Sequence, residues 1–398
     1  MTETRERELA EALRKSELEG EALARQRTLE TVRAAYAERE PRRRRRHWVA
    51  ASLAAASLAV AGVIGLTPAG AEFREWVQDT IDPQSTHPKP VLTGLPGGGS
   101  LLAQSRDGAS VVPDDGPRRF LGSFSAASWS PHGLNVGVAD GHTLAAVNPL
   151  GELQWSWSAP GAVRFPAWSQ DLGYRVAYLS GDELRVIAGD GSGDRPIGKA
   201  SPVAPVWRGQ TDRVIAYADA RQAIRIIDVD RAETLEKVGA PERLHGLAWS
   251  GDGERLLAFS PRNLQVSDAD GGTLTGWRAP PDTELTAAGF LRDGERVVLL
   301  QTKTANDGTT SSTVSVFTPG PGATSPRVVF RTPGLLKGLA LSPDGKWLVV
   351  GWRSADQWLF LEPKAGGEVR AFENISAQVA AGDPKPPFPI PTGWCCGS

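Results

Sequence analysis

Few residues in this chain are placed to do chemistry. Gly193-Asp194-Arg195-Pro196-Ile197-Gly198-Lys199-Ala200 has the glycine and lysine spacing of a phosphate-cradling loop. Ala200 stands where a Ser or Thr hydroxyl must hold magnesium, and the stretch sits in a turn between two expected strands, so a nucleotide site is excluded. No Gly-x-Ser-x-Gly elbow presents a nucleophilic serine. The five histidines, His47, His87, His132, His142 and His245, are scattered. None forms the His-Glu-x-x-His pattern of a zinc helix. His132 occupies a turn position that Asp fills in related stretches, which a turn role explains. Gly189–Asp194 and Asp268–Gly272 gather acidic oxygens as calcium loops do, yet lack the full ligand set with its closing Glu. Hairpin turns account for both. This reading assigns no catalytic residue, no metal ligand and no cofactor.

Cys395 and Cys396 are the only cysteines, and they are adjacent. On a strand their side chains point to opposite faces. A bridge between neighbours demands a distorted backbone, because its Cα atoms lie closer than in ordinary disulfides. Outside the cytoplasm such a bridge is chemically permitted. A vicinal disulfide, two free thiols and intermolecular pairing all stay open. The terminal Cys395-Cys396-Gly397-Ser398 imitates a prenylation box but has no aliphatic middle.

The elements that position everything else repeat. Leu339-Ala340-Leu341-Ser342-Pro343-Asp344-Gly345-Lys346-Trp347-Leu348-Val349-Val350 reads as strand, tight turn, strand. Related units surround Trp129, Trp168, Trp207, Trp249 and Phe290. With Leu341, these anchors are spaced 39, 39, 42, 41 and 51 residues apart. A period near 40–45 residues with several short strands per unit marks a β-propeller blade. Second strands follow each anchor, and third strands include Thr143–Asn148 and Leu264–Asp268. Fourth strands are legible at Leu153–Ser158, Leu274–Arg278 and Glu368–Phe372.

Six anchors open six blades, and three strands precede the first: Ser100–Gln104, Ala109–Val112 and Arg118–Leu121. They match a blade lacking its first strand. Pro391-Thr392-Gly393-Trp394 supplies an anchor strand with nothing after it. The expectation is an all-β, seven-bladed propeller over 96–398, with four-stranded blades and a ring closed by the C-terminal strand. Closure removes the unpaired edges that an open sheet would leave. The anchor strands should lie innermost, with their aromatic residues wedged between blades. Thr302–Ser312 reads as a long polar loop with Asn306, Asp307 and Gly308 at its tip, a candidate binding loop. Ala377–Pro391 reads as a Pro-rich return loop.

The Leu-Ser-Pro-Asp-Gly-Lys-Trp-Leu-Val-Val unit resembles the propeller repeats of TolB-type periplasmic proteins. The wider blade pattern is similar to WD40-like repeats, although regular Gly-His and Trp-Asp pairs are missing. Two blades, at Gly151-Glu152-Leu153-Gln154-Trp155 and Gly272-Thr273-Leu274-Thr275-Gly276-Trp277, also resemble quinoprotein-like repeats. These resemblances imply a fold and leave the task open, since one fold hosts many.

Upstream the composition changes. Residues 1–47 are rich in helix-forming Ala, Glu, Leu and Arg and end in the basic run Arg42–Arg46. They read as a cytoplasmic helical tail, either merely solvated or docking a cytoplasmic partner. Trp48–Leu66 is uncharged for nineteen residues, close to the ~20 that cross a bilayer. Five arginines before it place the N-terminus inside and the propeller outside. Ala69-Gly70-Ala71 offers a rival reading as a cleaved signal, against which stands the long region ahead of the apolar run. Residues 67–95 hold a juxtamembrane amphipathic segment, with Phe73, Trp76, Val77 and Ile81 on one helical face, and a Pro-rich linker.

With 44 basic and 46 acidic residues, no overall charge favours nucleic acid. The abundance of Arg over Lys, with much Ala, Gly and Pro, fits a GC-rich bacterial genome. The leading expectation is a non-enzymatic, single-pass cell-membrane protein presenting an extracytoplasmic propeller to a protein, peptide or glycan. Its layout resembles membrane-bound regulators, including anti-sigma-like proteins. The alternatives are a TolB-like envelope scaffold and a propeller enzyme working in the central funnel.

Overall fold

The computed structural model describes residues 92, 94–170, 173–211, 213–320, 325–379 and 386–396. The expected tail, apolar span and amphipathic segment lie outside the described residues. Among those described, no helix is long and apolar enough to cross a membrane.

The chain first lays down β1 (Ser100–Ser105), β2 (Gly108–Pro113) and β3 (Arg119–Gly122). Blade 2 is β4 (Ala126–Trp129), β5 (Val136–Asp140), β6 (Thr143–Val147) and β7 (Leu153–Ser158). Blade 3 is β8 (Val163–Trp168), β9 (Arg175–Ser180), β10 (Glu183–Ala188) and β11 (Arg195–Lys199). Blade 4 is β12 (Val206–Trp207), β13 (Val214–Ala218), β14 (Ile224–Asp228) and β15 (Glu233–Val238). Blade 5 is β16 (Gly246–Trp249), β17 (Arg255–Phe259), β18 (Asn263–Asp268) and β19 (Thr273–Arg278). Blade 6 is β20 (Thr283–Phe290), β21 (Val297–Thr304), β22 (Thr310–Phe317) and β23 (Arg327–Pro333). Blade 7 is β24 (Leu336–Leu341), β25 (Leu348–Trp352), β26 (Gln357–Leu361) and β27 (Val369–Phe372). The last strand, β28 (Ile390–Cys395), pairs antiparallel with β1 and completes blade 1 in the order β28-β1-β2-β3. Seven four-stranded antiparallel sheets result.

The anchors occupy one structural position. Trp129 pairs with Val136, Trp249 with Leu256, Phe290 with Val297 and Leu341 with Leu348. Trp394 pairs with Leu101 in the same way. The second strands are apolar nearly throughout; β25, Leu-Val-Val-Gly-Trp, is buried at all five positions. They do not alternate, because neighbouring blades cover both faces of each sheet. Seven apolar clusters fill the gaps between blades. One joins blades 7 and 1 through Trp358, Phe360, Leu101 and Trp394. Another joins blades 1 and 2 through Leu102, Val111, Val136 and Val138.

The recurring Ser-x-Asp-Gly turn has a physical reason. Ser342 Oγ accepts the Trp347 backbone N–H at 2.9 Å and donates to Asp344. Ser250 repeats this with the Arg255 N–H at 2.9 Å and Asp252. Ser130 and Ser169 accept the Asn135 and Arg175 N–H groups. Gly253 and Gly345, at φ +74° and +72°, take the left-handed step that closes the turn.

Three expectations need correction. Thr302–Ser312 is not a long loop: β21 and β22 run on as a ribbon to the pair Thr304–Thr310, leaving a turn at 305–309. Threonine and serine on an alternating stretch favour this pleated extension. The stretch Gly193–Ala200 is not simply a turn, since Arg195–Lys199 forms the outer strand of blade 3. Outer strands β15 and β23 complete blades 4 and 6, in keeping with the expected four-stranded blades. The return segment is not all loop: a short helix, Ile375–Val379, buries Ile375 and Val379, and the closing strand begins at Ile390.

Candidate functional site

The inner strands of blades 2 to 5 line a half-open cavity of about 510 Å³. Its wall includes Ala167, Val206, Leu247 and Ala248, residues next to the anchors. Gln170, Gln210 and Ser250 rim it, so it meets the face carrying the turns between first and second strands. Proline shapes the wall. Pro166 lies where β8 breaks register between Arg164 and Ala167, and Phe165 there sits at φ +53°. Pro205 immediately precedes β12, which is only two residues long. An inner strand has no sheet partner on its axial edge, so proline costs no ladder bond there.

Among the described residues, no charged side chain lines this cavity. Arg208 is beside it, stacked over the Trp249 ring at 5.6 Å, with Nε donating to Gly253 O at 2.8 Å. That contact ties blade 4 to the turn of blade 5. The polar atoms Ser128 Oγ and Nε1 of Trp129, Trp168 and Trp249 are buried without a hydrogen-bond partner. Orphaned polar atoms of this kind are the groups that an ordered water or a polar ligand completes. Trp168 and Trp207 are each only 3% exposed and serve mostly as wedges. Trp207 Nε1 donates to Ala167 O on blade 3 at 2.9 Å.

The structure does not bring the sequence-derived candidates together. Asn306, Asp307 and Gly308 cap the blade 6 ribbon, where Asp307 accepts from Thr309 N and Oγ1 at 2.9 and 2.7 Å. The Thr309 hydroxyl and amide hold that carboxyl below its usual range. This is a self-satisfied turn with Gly308 at φ +82°. Cys395 and Cys396 are joined by a disulfide on the closing strand, with Cα atoms 3.7 Å apart. They rest on the blade 2 turn: Cys395 Sγ is 3.6 Å from Ser130 O, and Cys396 Sγ is 3.6 Å from Pro131 O. Trp394 Nε1 donates to Gly98 O at 2.7 Å, and its ring stands edge-on to Phe360.

One buried polar network was not legible in the sequence. Trp157 Nε1 donates to Tyr178 Oη at 3.1 Å, and Tyr178 donates to Asp194 at 2.6 Å. Arg185 forms an ion pair with the same carboxylate at 2.5 Å. Burial first, and then Asp194, raise the Tyr178 pKa well above a free phenol's. The network fastens blade 2 to blade 3 and reaches no cavity wall. Among the described residues, no group of three or more His, Cys, Asp or Glu is placed to hold a metal ion. The axial cavity was missed because its walls come from strands about 40 residues apart. The one signal was proline just ahead of two anchors, at Pro166 and Pro205.

The fold and its axial cavity define a seven-bladed, WD40-like β-propeller. No protein-family model matches the chain, and no curated protein does. Among solved structures, the β-propeller domain of Myceliophteria thermophila Cps50 (Swd1) is similar at 11% identity over 77% of this chain and 93% of that one, with a TM-score of 0.50. KlHsv2 with its loop 6CD replaced by a Gly-Ser linker is similar at 11% identity over 66% and 89%, also at 0.50. Kuenenia stuttgartiensis hydrazine synthase matches more loosely, at 16% identity over 60% and 76%, with a TM-score of 0.49. Likeness at these identities shows the fold alone.

Proposed function

We propose that this protein is a non-catalytic binding protein whose propeller takes an uncharged peptide or glycan segment of a partner at the axial cavity. The carrying observation is the cavity itself. Its volume of about 510 Å³ falls in the range of small-ligand sites, and its lining among the described residues has apolar walls, a few amides and hydroxyls, and no charge. No described residue of the lining would pair a buried phosphate or carboxylate, so neutral ligands are favoured over anionic ones. In the same reading the chain is a single-pass membrane protein. Arg42–Arg46 ahead of the uncharged run Trp48–Leu66 supports a cytoplasmic tail and an outer propeller. The similarity of the Leu-Ser-Pro-Asp-Gly unit to TolB-type repeats supports a place in the cell envelope.

The test fills the cavity. Ala248→Arg puts a charge into the wall, and Arg106→Ala, at an exposed hairpin of blade 1, is the control. Panels of neutral peptides and oligosaccharides are screened against the full chain by calorimetry. Binding that wild type and control share and Ala248→Arg loses supports the site; binding that survives Ala248→Arg removes it. Protease added to intact cells should degrade the propeller; full protection would overturn its outer location. Deleting residues 1–41 separates a signalling tail from a mere anchor, since only an anchor role leaves function intact.

A further inference from the structure

Every blade ends in an outer strand whose far edge has no partner within its own sheet. Such an edge exposes a row of N–H and C=O groups that another strand can pair with, and proteins usually guard it with charge or proline. Six of the seven are guarded here. Arg119 stands on β3, Arg278 on β19 and Arg370 on β27. Pro196 stands on β11 between Arg195 and Lys199, Glu233 and Lys237 on β15, and Arg327 and Arg331 on β23. The seventh, β7, reads Leu-Gln-Trp-Ser-Trp-Ser, with no charge and no proline. It is also where apolar surface collects: Leu153 is 63% exposed and Leu150, just ahead of it, 59%. Gly151 abuts the backbone of Phe120 on blade 1's outer strand, and Phe120 is itself 45% exposed.

We propose that β7 is a pairing edge for a second copy of this chain, joining two blade 2 sheets into one eight-stranded antiparallel sheet about a twofold axis. The strand's pattern is self-complementary. Trp155 and Trp157 share one face, and Ser156 and Ser158 share the other, while a bulge opposite Ala146 and Val147 turns Leu153 away from the tryptophans. An antiparallel twofold pairing keeps each face with itself. Centred on Ser156 it sets Trp155 against Trp157 and Gln154 against Ser158. This register pairs apolar with apolar and polar with polar, and places no like charges opposite each other. The nearest charge, Glu152, lies outside the strand and accepts from Asn148 Nδ2 at 2.7 Å. By contrast β11 paired with its own copy would bring Arg195 towards Lys199, and Pro196 would supply no N–H. Charge compatibility therefore selects β7, and backbone pairing requires the occupant to be an extended strand.

Sedimentation of the detergent-solubilised full chain over a hundredfold concentration range tests this. The expected result is a monomer–dimer equilibrium whose dissociation constant rises at least tenfold in Ser156→Lys, which sets two like charges across the axis. Ser156 is exposed, so the variant's melting temperature should match wild type's. Ser156→Cys should form an interchain disulfide under mild oxidation. A wild type that stays monomeric, or a dimer that Ser156→Lys leaves unchanged, overturns the proposal. In the monomeric case an extended segment of another protein is the occupant to seek on β7.

Discussion

Blade 5 and blade 1 have the same four-stranded build and reach it by opposite routes. Blade 5 is continuous from Gly246 to Arg278, each strand folding back on the one before. Trp249 and its partner Leu256 are seven residues apart, joined by a turn that Ser250 Oγ and Asp252 hold together. Blade 1 takes three strands from one end of the propeller and the fourth from the other. Its Trp394 bonds to Gly98, 296 positions away. Loop-closure entropy grows slowly with length, so the longer closure costs about 3 kcal/mol more when the rest of the chain is unfolded. Blade 5 can thus stand on local turns, whereas blade 1 depends on contacts its neighbours supply. The edge-on Phe360 ring from blade 7 and the blade 2 turn beneath Cys395 are two of them.

The contrast breaks most readily at its long-range end. A chain ending at Pro389 would lose β28 and leave β1 unpaired on its inner side. It should unfold at far lower denaturant and with a smaller m-value than wild type, as circular dichroism would show. An unchanged transition would mean the ring does not depend on its closure. Trp394→Ala follows, with a loss of about 3–5 kcal/mol from the cavity it leaves and the bond to Gly98. Trp249→Ala should cost less, because its ring is only partly buried and its indole N–H has no partner. Equal losses would erase the difference between the two regions.

Ser250→Ala sharpens the local side. It leaves the half-buried Arg255 N–H without its partner and should cost about 1 kcal/mol by chemical denaturation. A smaller effect is acid-dependent. Asp252 is held below its usual range first by the Ser250 hydroxyl and then by the Glu254 amide. Its folded pKa is therefore depressed. The stabilisation is present above the unfolded value of about 3.9 and is lost as pH falls through the folded one. Protection of the Glu254 and Arg255 amides from exchange, relative to the free-peptide rate, should fall below about pH 4, and Asp252→Asn should abolish that pH dependence. Blade 1, whose anchor strand ends in Cys395 rather than this turn, should show no counterpart. Replacing both cysteines by serine should have the least effect on melting temperature. Their bridge closes a loop of adjacent residues and so restricts the unfolded chain little.

Blade 5 and the seam also show what could be read beforehand. Anchor, turn glycine and apolar second strand sit within about a dozen residues, so the repeat was visible at Trp129, Trp168 and Trp249. The closing strand was recoverable by accounting, since strands 100–121 lacked an inner partner and Trp394 lacked a following sheet. The blade 6 ribbon was misread because Thr and Ser suit either a loop or a strand, and only pairing across Thr304 and Thr310 decides. Asp194 looked like part of a glycine-rich turn until Tyr178 and Arg185 were seen to converge on it.

The sequence by itself determined the number of blades, the place of each anchor and the need for the far end to close the ring. These follow from short-range pattern, which twofold side-chain alternation and turn stereochemistry impose within a few residues. Tertiary structure alone decided where the axial cavity lies, which buried polar atoms lack partners and that blade 2 carries apolar surface beside its unguarded edge. Each of those depends on strands that are neighbours in space and some 40 or more residues apart in the chain. Their distances are set by packing between blades, which no local window of residues encodes.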